Sequence, residues 1–396
     1  MALLSFLDRE NTVAKPGFNR WLFPPAALAV HMCIGQAYAL SVFNIPLSRL
    51  HGVTQSAADD WPLTTTVWIF NIAFATLGIS AALFGKWVEA NGPHKTMFFS
   101  ACFFAMGFMI SSLGIAWHQI GLLYLGYGIF GGIALGLGYI SPVSTLIKWF
   151  PDRPGMATGM AIMGFGGGAM IGSPLASNLM DYFGGGVQSQ GVGSTFLVMG
   201  VLYFCMMVFG SIIACVPAAD WKPEGCTPSI SQGANTIITT ANVDVDTAIK
   251  TPQFWLLWAV LCMNVLAGIG VLAQASPMIQ EMFSNARRGA GLGVTAAAAA
   301  GFVGLLSLFN LVGRFVWSSI SDYTGRKQIY MIYLGLGAVL YASIPTTASM
   351  GSVGLFVGVF CIILSMYGAG FATIPAYLRD MFGTMQVGAI HKNHGI

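Results

Sequence analysis

Charge is what this sequence has least of. Only 8% of its 396 residues are charged, while 56% are hydrophobic and the mean hydropathy is +0.72. A soluble chain carries about 25% charged residues, so a water-exposed globular surface is excluded. The 14 acids all fall in loops or at the ends of apolar runs, which leaves no carboxylate deep in the apolar parts to relay protons or to serve a hydrolase. No GxxxxGK[ST] loop occurs, so pumping driven by ATP is unsupported. The seven cysteines are scattered singly, without a CxxC or a His/Cys cluster. They read as small packing residues, not as a metal site or a disulfide framework. No basic patch is dense enough for a nucleic acid, and a net charge of +3 does not change that. Neither an enzyme nor a cofactor is expected. A cleaved leader is not expected either, because Asp8 and Glu10 interrupt the positive start that one requires.

What the sequence does have is apolar runs of membrane-spanning length. They lie at about Trp21 to Pro46, 61–84, 97–117, 121–147, 156–180 and 194–216, then at 253–280, 291–318, 329–349 and 352–377. The fifty glycines are spread through these runs, where they let helices approach closely. Between the sixth and seventh runs the chain turns polar. The expected organisation is a six-helix bundle over 1–216, a cytoplasmic linker over 217–252 and a four-helix bundle over 253–396. Lysine and arginine mark one side: the outer loops hold only Arg49, Arg287 and Arg288. The positive-inside rule then places both termini in the cytoplasm. The fold class is an all-α polytopic membrane protein, expected as a monomer in the lipid bilayer of a bacterial inner membrane.

The two bundles repeat each other. Glu89 and Asp322, Gly92 and Gly325, Gly35 and Gly268, and Pro142 and Pro375 each stand 233 positions apart. One such coincidence is weak, but several at a single offset indicate a duplicated unit, as in carriers built from two pseudo-symmetric halves.

One charge breaks the general rule. Arg314 lies inside an apolar run, eight residues before Asp322, so a helix places it roughly 12 Å deeper than that polar turn. A cation there costs at least about 2.5–3.5 kcal/mol and normally faces a protein interior or an aqueous cavity. Asn310 is one turn away on the same face. Two readings compete: an arginine that snorkels to the inner surface, or a buried cation that binds an anion. Tyr139, about 15 Å in from Trp149, and Phe371, about 12 Å in from Arg379, lie at similar depth, with Tyr367 one turn beyond Phe371. Such rings can wall a small pocket and tyrosine hydroxyls can donate to a carboxylate, although ordinary core packing explains them as well. Gln36 and Gln274 admit both a binding role and interhelical contacts. His31 is the only deeply placed histidine, and packing is its simpler role.

The turns also carry motifs. Gly85, Glu89, Gly92 and Lys95 follow the second run, and Asp322-Tyr323-Thr324-Gly325-Arg326-Lys327 follows the eighth. Both resemble the loop signatures of the major facilitator superfamily. More narrowly, Trp149-Phe150-Pro151-Asp152-Arg153-Pro154-Gly155, the Gly164-Phe165-Gly166-Gly167-Gly168 run and Asn310-Leu311-Val312-Gly313-Arg314 resemble the oxalate/formate antiporter family. The resemblance spans essentially the whole chain, with departures at Ala90, Pro93, Pro154 and Ser318. It implies the major facilitator fold, about 10 of its usual 12 helices being present, and exchange of small carboxylates. It also implies substrate-facing roles for Tyr38 and Phe165. A lysine on an eleventh helix, which the family pairs with the arginine, has no counterpart here, so a C-terminally truncated chain with a weakened transport cycle is expected. The loop residues Glu89, Gly92, Lys95, Asp152, Arg153, Asp322, Gly325, Arg326 and Lys327 form the expected inner gate. There an acid at one helix end pairs with a base in the turn or with a neighbouring helix N-terminus. Proton-coupled monocarboxylate symport and a non-transporting sensor remain as alternatives.

Overall fold

The computed structural model describes residues 9–53, 55–151, 154–218, 221, 243, 245–283 and 294–383. Among the described residues nine helices are long and apolar enough to span a membrane, and a bent helical pair counted as one span brings the number to the ten expected from the sequence. They are α1 (Arg20–Ala39 continued by Ser41–Leu47), α2 (Leu63–Gly85), α3 (Ala90–Ala116), α4 (Ile120–Trp149), α5 (Gly155–Phe183), α6 (Gln188–Ile213), α7 (Pro252–Met282), α8 (Ala296–Thr324), α9 (Arg326–Thr347) and α10 (Val353–Phe382). Large apolar side chains such as Leu83, Leu256, Leu266 and Val339 project from their outer faces. In a bilayer such faces meet lipid, and the helices satisfy their own backbone groups. The chain is an integral membrane protein.

Helix ends differ from the apolar runs, because the backbone stays helical beyond the hydrophobic stretch. The third segment begins at Ala90, not 97, and α8 continues past 318 to Thr324. Between Leu63 and Ala116 the helix is interrupted only at Gly92, with φ 78° and ψ 174°. Its counterpart Gly325 ends α8 with φ 92° and ψ 144°. Both turns of the repeat therefore use a left-handed glycine, a conformation that a side chain would strain. The two halves of α1 meet at a bend of 44°. Gly35–Ala39 tightens there into a 3-10 turn. Pro46, which cannot donate a backbone bond, lies within the second half. Near the start of α4, Tyr124–Gly131 widens into π-type turns.

The core is built around α5, whose glycine-rich face meets α1 on one side and α8 on the other. Ser307 of α8 donates to the Gly166 carbonyl at 2.6 Å, an approach possible only where α5 carries no side chain. The N-terminal segment is fastened under the bundle: Ala14 donates to the Val216 carbonyl at 2.9 Å and Val216 to that of Thr12 at 2.8 Å. Trp149 ties α4 to the same place, its Nε1 donating to the Cys215 carbonyl at 2.8 Å. Of the polar stretch between α6 and α7, the short helix Val245–Ala248 is described, and Val243 donates to the Phe382 carbonyl at 2.9 Å. Residues 219–220, 222–242 and 244 of that stretch, and the final residues from 384 onward, lie outside the described residues.

Candidate functional site

Arg314 is completely buried. Its Nε donates to Asn310 Oδ1 at 2.9 Å, one turn back along α8. The side chain thus points toward the start of its helix, away from the Asp322 turn, and the snorkelling reading fails. One terminal nitrogen, NH2, donates to the Tyr38 hydroxyl at 3.2 Å; the other, NH1, makes a long contact of 3.4 Å with the Ile162 carbonyl. Among the described residues no carboxylate pairs with it. The guanidinium is thus held by neutral acceptors alone.

Aromatic rings enclose this cation from both halves of the repeat. Its central carbon lies 5.5 Å from the ring centroids of Phe165 on α5 and Phe371 on α10. Such contacts strengthen when water is excluded. Tyr38 of α1 and Tyr367 of α10 share a hydroxyl–hydroxyl bond of 3.0 Å, next to the guanidinium. Tyr139 of α4 stands edge-on to Phe165 at 5.5 Å and interacts electrostatically with Arg314. Phe74 of α2, absent from the sequence reading, stacks on Tyr38 at 5.7 Å. Gly166 faces Arg314 from α5: a Cβ there would stand 2.8 Å from Nε and 2.9 Å from Asn310 Oδ1. The Asn310 Nδ2 is buried without a hydrogen-bond partner, a donor left free beside the cation.

Seven of the eight residues expected to bind substrate therefore meet around one point: Arg314, Asn310, Tyr38, Tyr139, Phe165, Tyr367 and Phe371. Gln36 does not. Its Oε1 accepts from Tyr127 inside the first bundle at 2.8 Å, and its Nε2 is buried without a hydrogen-bond partner. Tyr127 lies in the π-type turns, whose altered register the sequence did not announce. His31 reaches the Tyr139 carbonyl at 3.3 Å and packs edge-on against that ring.

At the far end of α8, Asp322 holds two elements together. Its Oδ1 and Oδ2 accept from the backbone N–H groups of Gly155 and Met156 at 3.1 Å each, capping the start of α5. Oδ1 also pairs with Arg326 at 2.6 Å, and Arg326 reaches Asp380 of α10 at 3.1 Å and the Ser321 hydroxyl. Arg379 donates to the Pro151 carbonyl at 2.9 Å. Asp380 and Arg379 were missed as members of this cluster, although an acid beside a base closing the last apolar run was the available signal. Two of the expected gate bases stand apart from this cluster. Lys95 bonds to Asn91 Oδ1 at 2.9 Å across the Gly92 turn. Lys327 is exposed and makes no bond among the described residues, because it points away from the acid that Arg326 faces. Asp152 and Arg153 lie outside the described residues, as does the side chain of Glu89.

Comparison with known proteins places this architecture. A family model described as Major Facilitator Superfamily matches residues 18–390. The oxalate:formate antiporter of Oxalobacter formigenes is 26% identical over 369 residues, which cover 92% of this chain and 78% of the relative. The MFS-type transporter YhjX of Escherichia coli is 25% identical over 384 residues, covering 96% and 84% respectively. Among solved structures, a partially occluded inward-open form of the xylose transporter XylE from E. coli superposes with a TM-score of 0.60 at 13% identity, covering 95% of this chain and 89% of XylE. That likeness concerns the fold alone. An all-helical membrane chain with these duplicated turns, matched to the model over nearly its whole length, is a transporter and not an enzyme, and it belongs to the Major Facilitator Superfamily.

Proposed function

We propose that this protein exchanges small organic anions, carboxylates such as oxalate or formate, by alternating access around Arg314. One observation carries the reading: a fully buried guanidinium with no carboxylate partner among the described residues, ringed by aromatics from both halves. An uncompensated cation at this depth is costly, and an anionic cargo offsets that cost each time it binds. The planar fork of arginine matches a carboxylate with two parallel bonds. The Tyr38–Tyr367 hydroxyl pair can turn one proton toward the same cargo, and the free Asn310 Nδ2 adds a donor. The rings leave little room and exclude water around the guanidinium, so a space opened there would favour short carboxylates. Similarity to the O. formigenes antiporter supports both the cargo class and exchange.

Within this reading residues 1–216 and 253–396 are the two rocking bundles, joined by 217–252. Asp322 with Arg326 closes the inner side, and Gly92 and Gly325 shape the inner turns. The distribution of Lys and Arg supports a bacterial inner membrane orientation with both termini in the cytoplasm.

The test is counterflow. Proteoliposomes loaded with unlabelled oxalate or formate should take up the labelled anion at equal pH on both sides, with no uptake into empty vesicles. Arg314→Ala should abolish uptake, and Arg314→Lys should restore little of it, because a point charge lacks the fork. Flux that requires a pH gradient would instead indicate proton-coupled monocarboxylate symport. Binding without flux would indicate a sensor. Uptake unchanged in Arg314→Ala would refute the site.

A further inference from the structure

The end of the bundle opposite the Asp322 turn carries a second group of chemically capable side chains. Two loops meet there, the one joining α1 to α2 and the one joining α3 to α4. His51, Asp60 and His118 each bring one potential ligand atom within 4.8 Å of the other two. The arrangement around them is specific. His51 Nδ1 contacts Asp59 Oδ2 at 2.7 Å, and His118 Nε2 contacts the Asp59 backbone oxygen at 2.9 Å. One residue thus fixes both imidazoles through one ring nitrogen each, as donors to a carboxylate and to a carbonyl. Such outer partners orient metal-binding histidines and leave the opposite nitrogen with its lone pair free. The opposite nitrogens are His51 Nε2 and His118 Nδ1, and His118 Nδ1 is buried without a hydrogen-bond partner.

The third group is equally well held. Asp60 is buried, and its carboxylate accepts from the backbone N–H groups of His51, Gly52 and Ala57, at 2.9 Å each. Oδ2 takes two of these donors and Oδ1 one, so Oδ1 keeps lone-pair capacity for a further partner. The His118 ring lies between His51, with centroids 4.1 Å apart, and Trp61, at 4.4 Å, and its backbone sits at φ 52°. The least constrained member is His51, whose side chain is 46% exposed.

We propose that His51, His118 and Asp60 form a site for a divalent transition ion of the zinc class, clamping the two outer loops together. Two imidazoles and one carboxylate suit zinc, cobalt or nickel better than magnesium or calcium, which prefer oxygen ligands. A tetrahedral site with bonds of about 2.1 Å sets its ligand atoms about 3.4 Å apart. The present spacing therefore closes by up to about 1.4 Å, and the stacked His51 ring must tilt to aim its lone pair. Its exposure permits that movement, while His118 and Asp60 stay in place. Both loops belong to the first half of the repeat, so the clamp stiffens one bundle and need not break as the two bundles rock.

The test uses the full chain, purified without a histidine tag, with His391 and His394 replaced by alanine so that the tail contributes no ligand. Titration with Zn2+ against a chromogenic chelator should reveal one equivalent bound with micromolar affinity. Co2+ in its place should give the visible absorption of a nitrogen- and oxygen-ligated ion. His51→Ala and His118→Ala should each weaken Zn2+ binding at least tenfold, with helical content unchanged. Should His118→Ala fail to fold, His118→Gln preserves its bulk and His51→Ala, at an exposed position, remains decisive. Absence of stoichiometric binding at 100-fold excess over micromolar Zn2+, or equal affinity in the His51→Ala protein, would overturn the proposal.

Discussion

At the scale of single residues, the site depends on one position where nothing projects. Gly166 lies against both Arg314 and Asn310, and an added methyl group would sit under 3 Å from Nε and from the amide oxygen. Those atoms end side chains, so they can move, but moving them turns the guanidinium off its axis. Gly166→Ala should leave the protein inserted and folded while weakening oxalate binding about tenfold, or ~1.4 kcal/mol. Calorimetric titration of the purified protein would read this directly, and an unchanged affinity would mean that the guanidinium orientation is immaterial. The Arg314–Asn310 pair was legible in the sequence because residues four apart share a helix face. The Tyr38–Tyr367 bond was not, since 329 positions separate its members. Each tyrosine could be placed by depth or by family resemblance, but no local pattern says that two hydroxyls meet. Gln36 shows the reverse failure. Its depth was right, but its direction depends on how α1 is rotated, and hydropathy does not report that.

At the scale of elements, the inner closure is a helix cap made by a foreign helix. Asp322 of α8 satisfies the first N–H groups of α5, which would otherwise lack partners, and its charge complements the positive end of that helix. Removing it should loosen the junction of α5 and α8. With the native cysteines replaced, a cysteine at the buried position Ala157 should react with a membrane-impermeant maleimide at least threefold faster when Asp322→Ala is added. The gain should appear in inside-out vesicles and not in intact cells. No acceleration would deny the gate, and labelling from outside would reverse the proposed orientation. This junction was half visible beforehand. The acid, the glycine and the base announced themselves by recurring at one offset, and Arg326 is the base that the acid engages. That the acid also caps α5, and that Asp380 joins the pair, depends on how α5, α8 and α10 converge. Helix ends were misjudged for a related reason, because the backbone remains helical through polar residues that hydropathy counts as loop.

At the scale of the whole molecule, the two entrances are sealed unequally. The inner side is shut by charged contacts: Asp322 on the start of α5, Arg326 between two acids, and Arg379 on the Pro151 carbonyl. Across the outer side the bend in α1 carries Ser41–Leu47 toward α7, and the polar contact described there is a neutral bond from Asn44 Nδ2 to the Ala273 carbonyl at 3.2 Å. A neutral bond contributes about 1 kcal/mol and a charge-assisted one about 1.5–3 kcal/mol. In the proposed cycle and orientation, opening outward breaks less of the described contacts than opening inward, so the unloaded carrier should favour the outward-facing state. Apparent affinity scales with the fraction of molecules in the competent state. Half-saturation measured from the exterior should accordingly lie several-fold below that measured from the cytoplasmic side, and equal values would show the two seals to be balanced. A carrier so biased would be a one-way listener: it would register scarce anion arriving from the medium, yet ignore the same concentration within the cell until the internal pool has grown.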